Sequence, residues 1–469
     1  MKKTSLLFLT LTATAVQAAP VSTPLNQIPD LNQEQISQQT ETVLQSENAK
    51  QHSASMTADD LLKQPELLQN ALDTAINQQN VNNIRFLLSI YRKQPENQQD
   101  AVLLKYAESF VQRADGQQDE AEQNLRELVQ AHPEFAPIRL QYALTLLQNG
   151  EQKEAAQEVA KIRETPELPE DASQYLNQFD AHLKNEKAWQ FNANAYYLNE
   201  GNVGRAPEQR TYGNWQFPAP KKAHGFGYEL SAQKTVPIKG HWAARVNASV
   251  YGKFYWDAHD YDDLVAHTEA GAVWRNAKQE VSLMPFYEKR WYGTEPYSQT
   301  SGAILRYSRT LSPSWQVYGA WQSDYKRHDD RSHLNGADHS ASVSVLYRSS
   351  PQQYFVIGAG AGRSNAKDLS DAYVYSNARV SWTRNWRSLK NLSTTLSVSA
   401  QRRNYRAPDF FNIRRHDKEY FTRLSVSHLK LSWGGFVPRL NWTWSHVDSD
   451  HFYYRYNQNR VFVDVMKQF

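Results

Sequence analysis

Apolar and polar residues alternate along the C-terminal part of the chain, from residue 188 to its end. One such run has Trp242, Val246 and Val250 on one side of the alternation and Arg245 and Asn247 on the other. Because successive side chains of a β-strand point to opposite faces, this period of two predicts strands with one apolar and one polar face. We count fourteen segments, near 188–200, 225–236, 240–255, 263–274, 278–291, 299–310, 314–325, 338–349, 353–363, 373–385, 391–404, 418–429, 436–448 and 455–469.

Such strands can close into either of two kinds of barrel. In a soluble barrel the apolar faces enclose a dry core, whereas in an outer-membrane barrel they contact lipid and the lumen is polar. Aromatic residues cluster at segment ends, as membrane-interface girdles do: Tyr255 with Trp256, Trp291 with Tyr292, and Trp382 with Trp386. Together with an export signal and a C-terminal aromatic residue, they favour a transmembrane β-barrel of about 14 antiparallel strands.

The last nine residues form an alternating strand that ends the sequence on an aromatic residue. Val461, Val463, Val465 and Phe469 share one face of this strand, and Asp464 lies on the other. We predict that these four apolar residues close the barrel against its first strand and serve as its assembly signal.

The connections between segments predict an orientation. If the N-terminal part lies in the periplasm, the first strand runs outward, and long loops should follow the odd-numbered strands. These predicted outer loops are 201–224, 256–262, 292–298, 326–337, 364–372, 405–417 and 449–454. Connections after even-numbered strands are generally tighter, for example 237–239, 275–277 and 350–352.

Ahead of the barrel, apolar residues recur at helical spacing, and small residues recur at a longer interval. Gly116 and Gly150 lie 34 residues apart, Ala121 and Ala155 repeat that interval, and Pro133 closes the first unit. This is the period of tetratricopeptide repeats, in which glycine permits a tight turn and alanine a close approach of paired helices. The alternative is a plain helical bundle whose glycine spacing is a coincidence.

The N-terminus has the features of an export signal. Lys2 and Lys3 precede an apolar run over residues 6–16, and Ala18 offers a cleavage site. The next segment is rich in Gln, Ser, Thr and Asn, which is typical of a flexible arm. The predicted domains are a signal peptide at 1–18, the arm at 19–56, a periplasmic tetratricopeptide-like helical domain at 57–187 and the barrel at 188–469.

Charge divides the chain at the same boundary. Residues 20–187 carry 14 basic and 26 acidic side chains, whereas residues 188–469 carry 36 basic and 23 acidic ones. The net charge of +3 therefore conceals an acidic helical part and a basic barrel. Cysteine is absent, which excludes a lipid-anchored lipoprotein, disulfides and thiolate metal sites.

Two loop segments contain candidate metal ligands, namely residues 257–267 and 328–339, both rich in Asp and His. Both fall in predicted outer loops, where hydrated charge is the ordinary state, and neither matches a coordination template. No strained serine turn, phosphate-binding loop or nucleotide motif is present either. We therefore predict no catalytic residue, metal or cofactor site, no nucleic-acid partner and no enzymatic activity.

The combined arrangement resembles the surface lipoprotein assembly modulator (Slam) family. The resemblance covers nearly the whole mature chain: an export signal, a short tetratricopeptide body, a barrel of about fourteen strands, the segments 435–440 and 453–457, and the final Phe469. One departure is Lys467, because assembly signals usually carry an aromatic residue two positions before the last one.

This resemblance implies an outer-membrane translocator of a Gram-negative bacterium. Its clients would be surface lipoproteins, or a secreted haem- or metal-binding protein, carried from the periplasm to the cell surface or exterior. Its other partners would be the barrel assembly machinery, periplasmic chaperones and outer-membrane lipid. The main alternative is an exopolysaccharide export porin, which also joins tetratricopeptide repeats to a barrel, and a barrel hydrolase is a more distant one.

Overall fold

The computed structural model describes residues 58–164, 187–389 and 392–468, together with residues 176–177, 179–181 and 183–184. For residue 429 and residues 466–468 it describes the backbone alone. The predicted cleavage site at Ala18, the arm at 19–56 and the terminal Phe469 lie outside the described residues.

The N-terminal part of the described chain is helical. Its helices are α1 (Ala58–Leu62), α2 (Pro65–Asn77), α3 (Val81–Tyr91), α4 (Ala101–Ala114), α5 (Gln118–Ala131), α6 (Ala136–Gln148) and α7 (Gln152–Arg163). Asp100 caps α4, since its Oδ1 accepts bonds from the backbone N of Val102 at 2.8 Å and of Leu103 at 3.3 Å. None of the described helices is long and apolar enough to cross a membrane.

The repeated small residues lie at equivalent places in two helix pairs. Gly116 joins α4 to α5 with φ +74°, and Gly150 joins α6 to α7 with φ +85°. This left-handed backbone region favours glycine. Ala121 and Ala155, early in α5 and α7, are fully buried. Pro133 follows α5, where it cannot extend that helix.

Fourteen antiparallel strands then form a closed barrel, as the sequence predicted. They are β1 (Gln190–Glu200), β2 (Ala223–Lys239), β3 (Trp242–Tyr255), β4 (Asp263–Arg275), β5 (Gln279–Tyr292), β6 (Glu295–Ser312), β7 (Trp315–His328), β8 (Gly336–Ser350), β9 (Gln353–Ala366), β10 (Tyr373–Trp386), β11 (Leu392–Pro408), β12 (Arg414–His428), β13 (Phe436–Ser449) and β14 (Tyr456–Gln468). Each strand pairs with its chain neighbours, and β1 also pairs with β14.

The alternation of side chains places apolar residues on the outer wall. Val461 and Val463 are 69% and 50% exposed, whereas Asp464 between Val463 and Val465 is 1% exposed. The same contrast holds on β8, where Val343 is 50% exposed and Ser344 is 3% exposed. The outer wall is therefore apolar and the inner wall polar, which is the arrangement of a membrane barrel.

The two ends of the barrel differ in the length of their connections. The predicted loop at 292–298 was wrong. Long connections follow most odd-numbered strands, including 201–222, 367–372 and 450–455, so we call this the loop end and the other the turn end. The predicted outer loop at 292–298 is instead a two-residue turn of Gly293 and Thr294. Both have positive φ, +59° and +71°, which matches the twist of a tight hairpin and allows β5 and β6 to extend further.

Candidate functional site

Exposed aromatic residues mark both rims of the outer wall. Trp242 and Trp315 are 54% and 44% exposed near the turn end, and Tyr197 and Trp256 are 50% and 55% exposed near the loop end. Aromatic rings prefer the two interfaces of a bilayer because they have an apolar body and a polar edge. The barrel therefore presents a membrane-spanning band between two girdles.

Two ion pairs on the inner wall join strands that are next but one to each other. Arg245 on β3 binds Glu280 on β5 at 2.6 Å, and Arg306 on β6 binds Glu269 on β4 at 2.9 Å. Each pair spans an intervening strand and neutralises charge locally on this wall. The basic excess of the barrel sequence is thus in part matched by inward carboxylates.

Asp464 is the most enclosed carboxylate near the end of the chain. It is 1% exposed and accepts two bonds from Arg439, at 3.0 and 2.7 Å. Arg423 also reaches it at 3.4 Å. The sequence placed Asp464 on the polar face but did not indicate this enclosure, because the arginines lie on two other strands.

Aromatic residues from three separate loops meet at the loop end. The loop after β1 forms a short hairpin of Thr211–Tyr212 and Trp215–Gln216. Tyr212 stacks on Phe452 with ring centroids 4.2 Å apart, and Trp215 contacts Phe410 and Phe411. Val203 in the same loop is fully buried. The hairpin therefore reaches from β1 to the loops after β11 and β13 and covers this part of the loop end.

The helical body docks on the turn end of the barrel. His241 Nδ1, in the turn between β2 and β3, lies 2.9 Å from the backbone O of Asn149. The backbone N of Gly240 donates to Glu154 Oε1 at 2.9 Å, and a Cβ added at Gly150 would lie 2.8 Å from the backbone O of Arg275. The turns between helices, which the sequence assigned to repeat geometry alone, therefore also contact the barrel.

An acidic cluster lies at this docking contact. Glu151 Oε1 is 3.5 Å from His241 Nε2, and burial, together with the charge of Glu122, raises the pKa of Glu151 to about 7. A hydrogen bond with Glu122 raises this pKa further, while His241 opposes the rise. The folded protein thus favours a protonated Glu151 at mildly acidic pH.

We expect the helical body to lose stability as pH rises from about 4.5 to 7, because a raised carboxyl pKa favours folding only while the group is protonated in the folded state. The loss should fall between the ordinary pKa of 4.5 and about 7. Glu151→Gln should flatten the dependence, measured as urea unfolding of the helical signal in the full chain. The exposed Glu120→Gln is the control. An unchanged pH dependence in Glu151→Gln would contradict the assignment.

The three valines among the predicted closure residues lie on the described part of β14. Ala195 on β1 is the register partner of Val465, while Val461 and Val463 are on the outer face beyond the last register pair with β1. A closing role for these valines remains a prediction, as does the assembly role of Phe469.

The two Asp- and His-rich segments do not form a metal-binding cluster among the described residues. Among the described residues, no group of three or more His, Asp or Glu side chains could hold a metal ion. His259 Nδ1 lies 3.0 Å from Asp262 Oδ2, and His339 Nδ1 lies 2.9 Å from Ser323 Oγ, so these side chains make local contacts.

Comparison with known proteins covers both parts of the chain. Residues 189–469 match the family model described as surface lipoprotein assembly modifier, and residues 54–159 match the one for the N-terminal tetratricopeptide repeats of the same proteins. Surface lipoprotein assembly modifier 1 of Haemophilus influenzae is 32% identical over 88% of this chain and 87% of its own length. The protein of that name from Neisseria meningitidis is 30% identical over 87% of this chain and 84% of its own length. The hemophilin secretion modulator of Acinetobacter baumannii is 23% identical over 78% of this chain and 76% of its own length.

Proposed function

The chain belongs to the surface lipoprotein assembly modifier family, and from this premise we propose that it carries client proteins across the outer membrane to the cell surface or exterior. The clients would be lipoproteins or a soluble protein for haem or metal acquisition. The barrel is an outer-membrane barrel, and its fold is that of a transport protein. The observation that carries the proposal is the family match over both the helical body and the barrel, parts that contact each other directly.

The contact between the two parts supports a division of labour. The helical body lies at the turn end, which faces the periplasm when a periplasmic N-terminal domain leads into an outward β1. The acidic body would capture or orient a client, and the barrel would give it passage or a template for folding outside. Export would be driven by client folding or capture at the surface, which makes return unfavourable.

Other parts of the proposal concern assembly and chemistry. The leader would end at Ala18, the arm would span 19–56, the helical domain 57–187 and the barrel 188–469. The barrel assembly machinery would insert the barrel, and periplasmic chaperones would present clients to the body. No catalytic residue or cofactor is assigned. Polysaccharide export is not favoured, because the relatives that match along most of the chain are named for surface lipoproteins or hemophilin.

We expect removal of residues 57–185 to abolish client delivery while the barrel still reaches the outer membrane. The barrel forms its own closed set of strand pairs, whereas the docking contact involves only its turns and the strand ends beside them. Protease shaving of intact cells, followed by quantitative mass spectrometry, measures which lipoproteins are at the surface. Heat-modifiable mobility reports barrel folding in the same cells.

A finer variant keeps the body and weakens its docking. His241→Ala removes the ring that approaches Asn149 and Glu151, and His446→Ala, on the distant β13, is the matched control. We expect a partial loss of delivery in the first variant alone. If clients reached the surface at wild-type levels without residues 57–185, the capture role of the body would be refuted.

A further inference from the structure

The junction between the first and last strands is paired over only part of its length. Among the described residues, the register of β1 with β14 runs from Asn192 opposite Gln468 to Tyr196 opposite Asp464, which is five pairs. Neighbouring junctions are longer: β1 with β2 has eleven pairs and β13 with β14 has twelve. The short junction is therefore a property of this edge of β14 and β1, since both strands pair well on their other sides.

The unpaired part lies toward the loop end. Continuing the same register would place Tyr197 opposite Val463 and Glu200 opposite Arg460, but no such pairs are present between these described strands. All four residues still pair with their other neighbours: Tyr197 with Phe226, Glu200 with Ala223, Val463 with Leu440 and Arg460 with Thr443. Each strand thus keeps its extended form and presents an open edge to the other.

Side chains hold this part of the junction where the backbone does not. Arg460 Nη2 lies 3.1 Å from Glu200 Oε2, and Glu200 Oε1 also accepts from Lys253 and Tyr255, each at 3.0 Å. Glu200 is only 3% exposed. The rings of Tyr196 and Phe462 are 5.5 Å apart and bridge the junction just below this ion pair.

The outer face of the same region is open. Val461 is 69% exposed, more than the outward Val463 at 50%, Leu440 at 52% or Val398 at 47%. Val398 lies on β11, which is paired on both sides over most of its length. The greater exposure of Val461 accords with the absence of a register partner on β1 beside it.

An open strand edge within a membrane barrel favours the binding of another extended strand. Backbone N–H and C=O groups that face lipid without hydrogen bonds cost several kcal/mol each, so such edges are normally closed. An unpaired edge is also a template for strand addition by another chain, in which main-chain bonds supply affinity and alternate side chains supply selectivity. The edge of β14 from Arg460 to Val463 has this character.

We propose that this edge of β14 is a docking site for an extended segment of the client polypeptide, which adds to β14 as an antiparallel strand. The inference rests on the proposed delivery function and specifies where the client contacts the barrel wall. The bound strand alternates, with apolar side chains beside Val461 and Val463 and polar ones toward Arg460. The site lies toward the loop end, so the client is bound there at a late stage of its passage.

The first strand of the barrel supplies the probe, because it is the natural antiparallel neighbour of β14. A peptide copying residues 190–200 is added to the purified full chain, which carries a photocrosslinking benzoylphenylalanine in place of Val461. The matched control carries it in place of Val398, another outward valine on a paired strand. We expect crosslinking at position 461 and background at 398, and no more than background with a scrambled peptide.

The ion pair between Arg460 and Glu200 across the junction allows a second test of the docking site. Glu200→Gln should raise the crosslinking yield at position 461 at least about fivefold, because breaking a pair with an enclosed carboxylate costs more than breaking an exposed one. The control is Glu419→Gln, which weakens the 3.0 Å pair with Arg403 between strands that are fully paired there. Equal yields at positions 461 and 398, or equal effects of the two Glu→Gln changes, would overturn the proposal.

This outcome is separable from that of the delivery assay. Delivery by the wild-type chain without peptide crosslinking would refute the docking site and leave the proposed function standing. Crosslinking at position 461 with no loss of surface clients on removal of the chain would refute the function and leave a strand-binding edge.

Discussion

Replacing Asp464 with alanine should lower the free energy of unfolding of the barrel by about 3–5 kcal/mol, the range for breaking a buried ion pair. Asp464 is 1% exposed and lies between the guanidinium groups of Arg439 and Arg423. Without the carboxylate these two cations would repel each other on neighbouring strands. Urea unfolding of the protein refolded into bilayers measures the difference.

Two further variants test whether charge is the cause. Asp448→Ala makes the same change at an exposed position on β13 and should have little effect. Asp464→Asn keeps the shape but removes the charge, and it should cost nearly as much as Asp464→Ala. A loss below 1 kcal/mol in Asp464→Ala would mean that water screens this group effectively.

The second large effect is expected from Val343→Lys. Val343 lies near the middle of β8, is 50% exposed and belongs to the outward set of side chains. A lysine facing lipid near the bilayer midplane costs about 2–4 kcal/mol. Unfolding in bilayers should show this loss, together with a lower yield of folded barrel in cells.

The adjacent residue gives a matched comparison. Ser342 is on the inner face, and its register partners are the small residues Ala320 and Gly360, so a lysine there has room and no cation directly opposite. We expect Ser342→Lys to cost much less than Val343→Lys. Equal free energies of unfolding for the two variants would contradict the assignment of inner and outer faces.

Local alternation was sufficient to predict most of the barrel. All fourteen predicted segments correspond to strands, because a two-residue period survives wherever one face contacts an apolar medium and the other a polar one. The difference at 292–298 has a local cause: Gly293 and Thr294 both take a positive φ, which makes a tight hairpin where the sequence predicts a loop. Gly116 and Gly150, which lie 34 residues apart, both occur between helices with positive φ.

The parts that sequence did not reveal depend on contacts between distant segments. The turn of Asn149 and Gly150 meets His241 and Arg275 across more than ninety positions of sequence, and a single sequence has no local pattern that pairs them. The partial register between β1 and β14 has the same origin. Each strand alternates normally, so only their mutual position shows that the junction is short.

Docking of the helical body on the barrel turns limits which helical bodies and barrels can be combined in one chain. The interface uses backbone groups of Gly240 and Arg275 and side chains such as His241 and Glu154, so its fit depends on the shape of two turns as much as on the body. A helical body grafted from a relative would meet foreign turns. The two halves should therefore have been inherited together, and a working chimaera would have to transfer the turns at 239–242 and 275–279 along with the body.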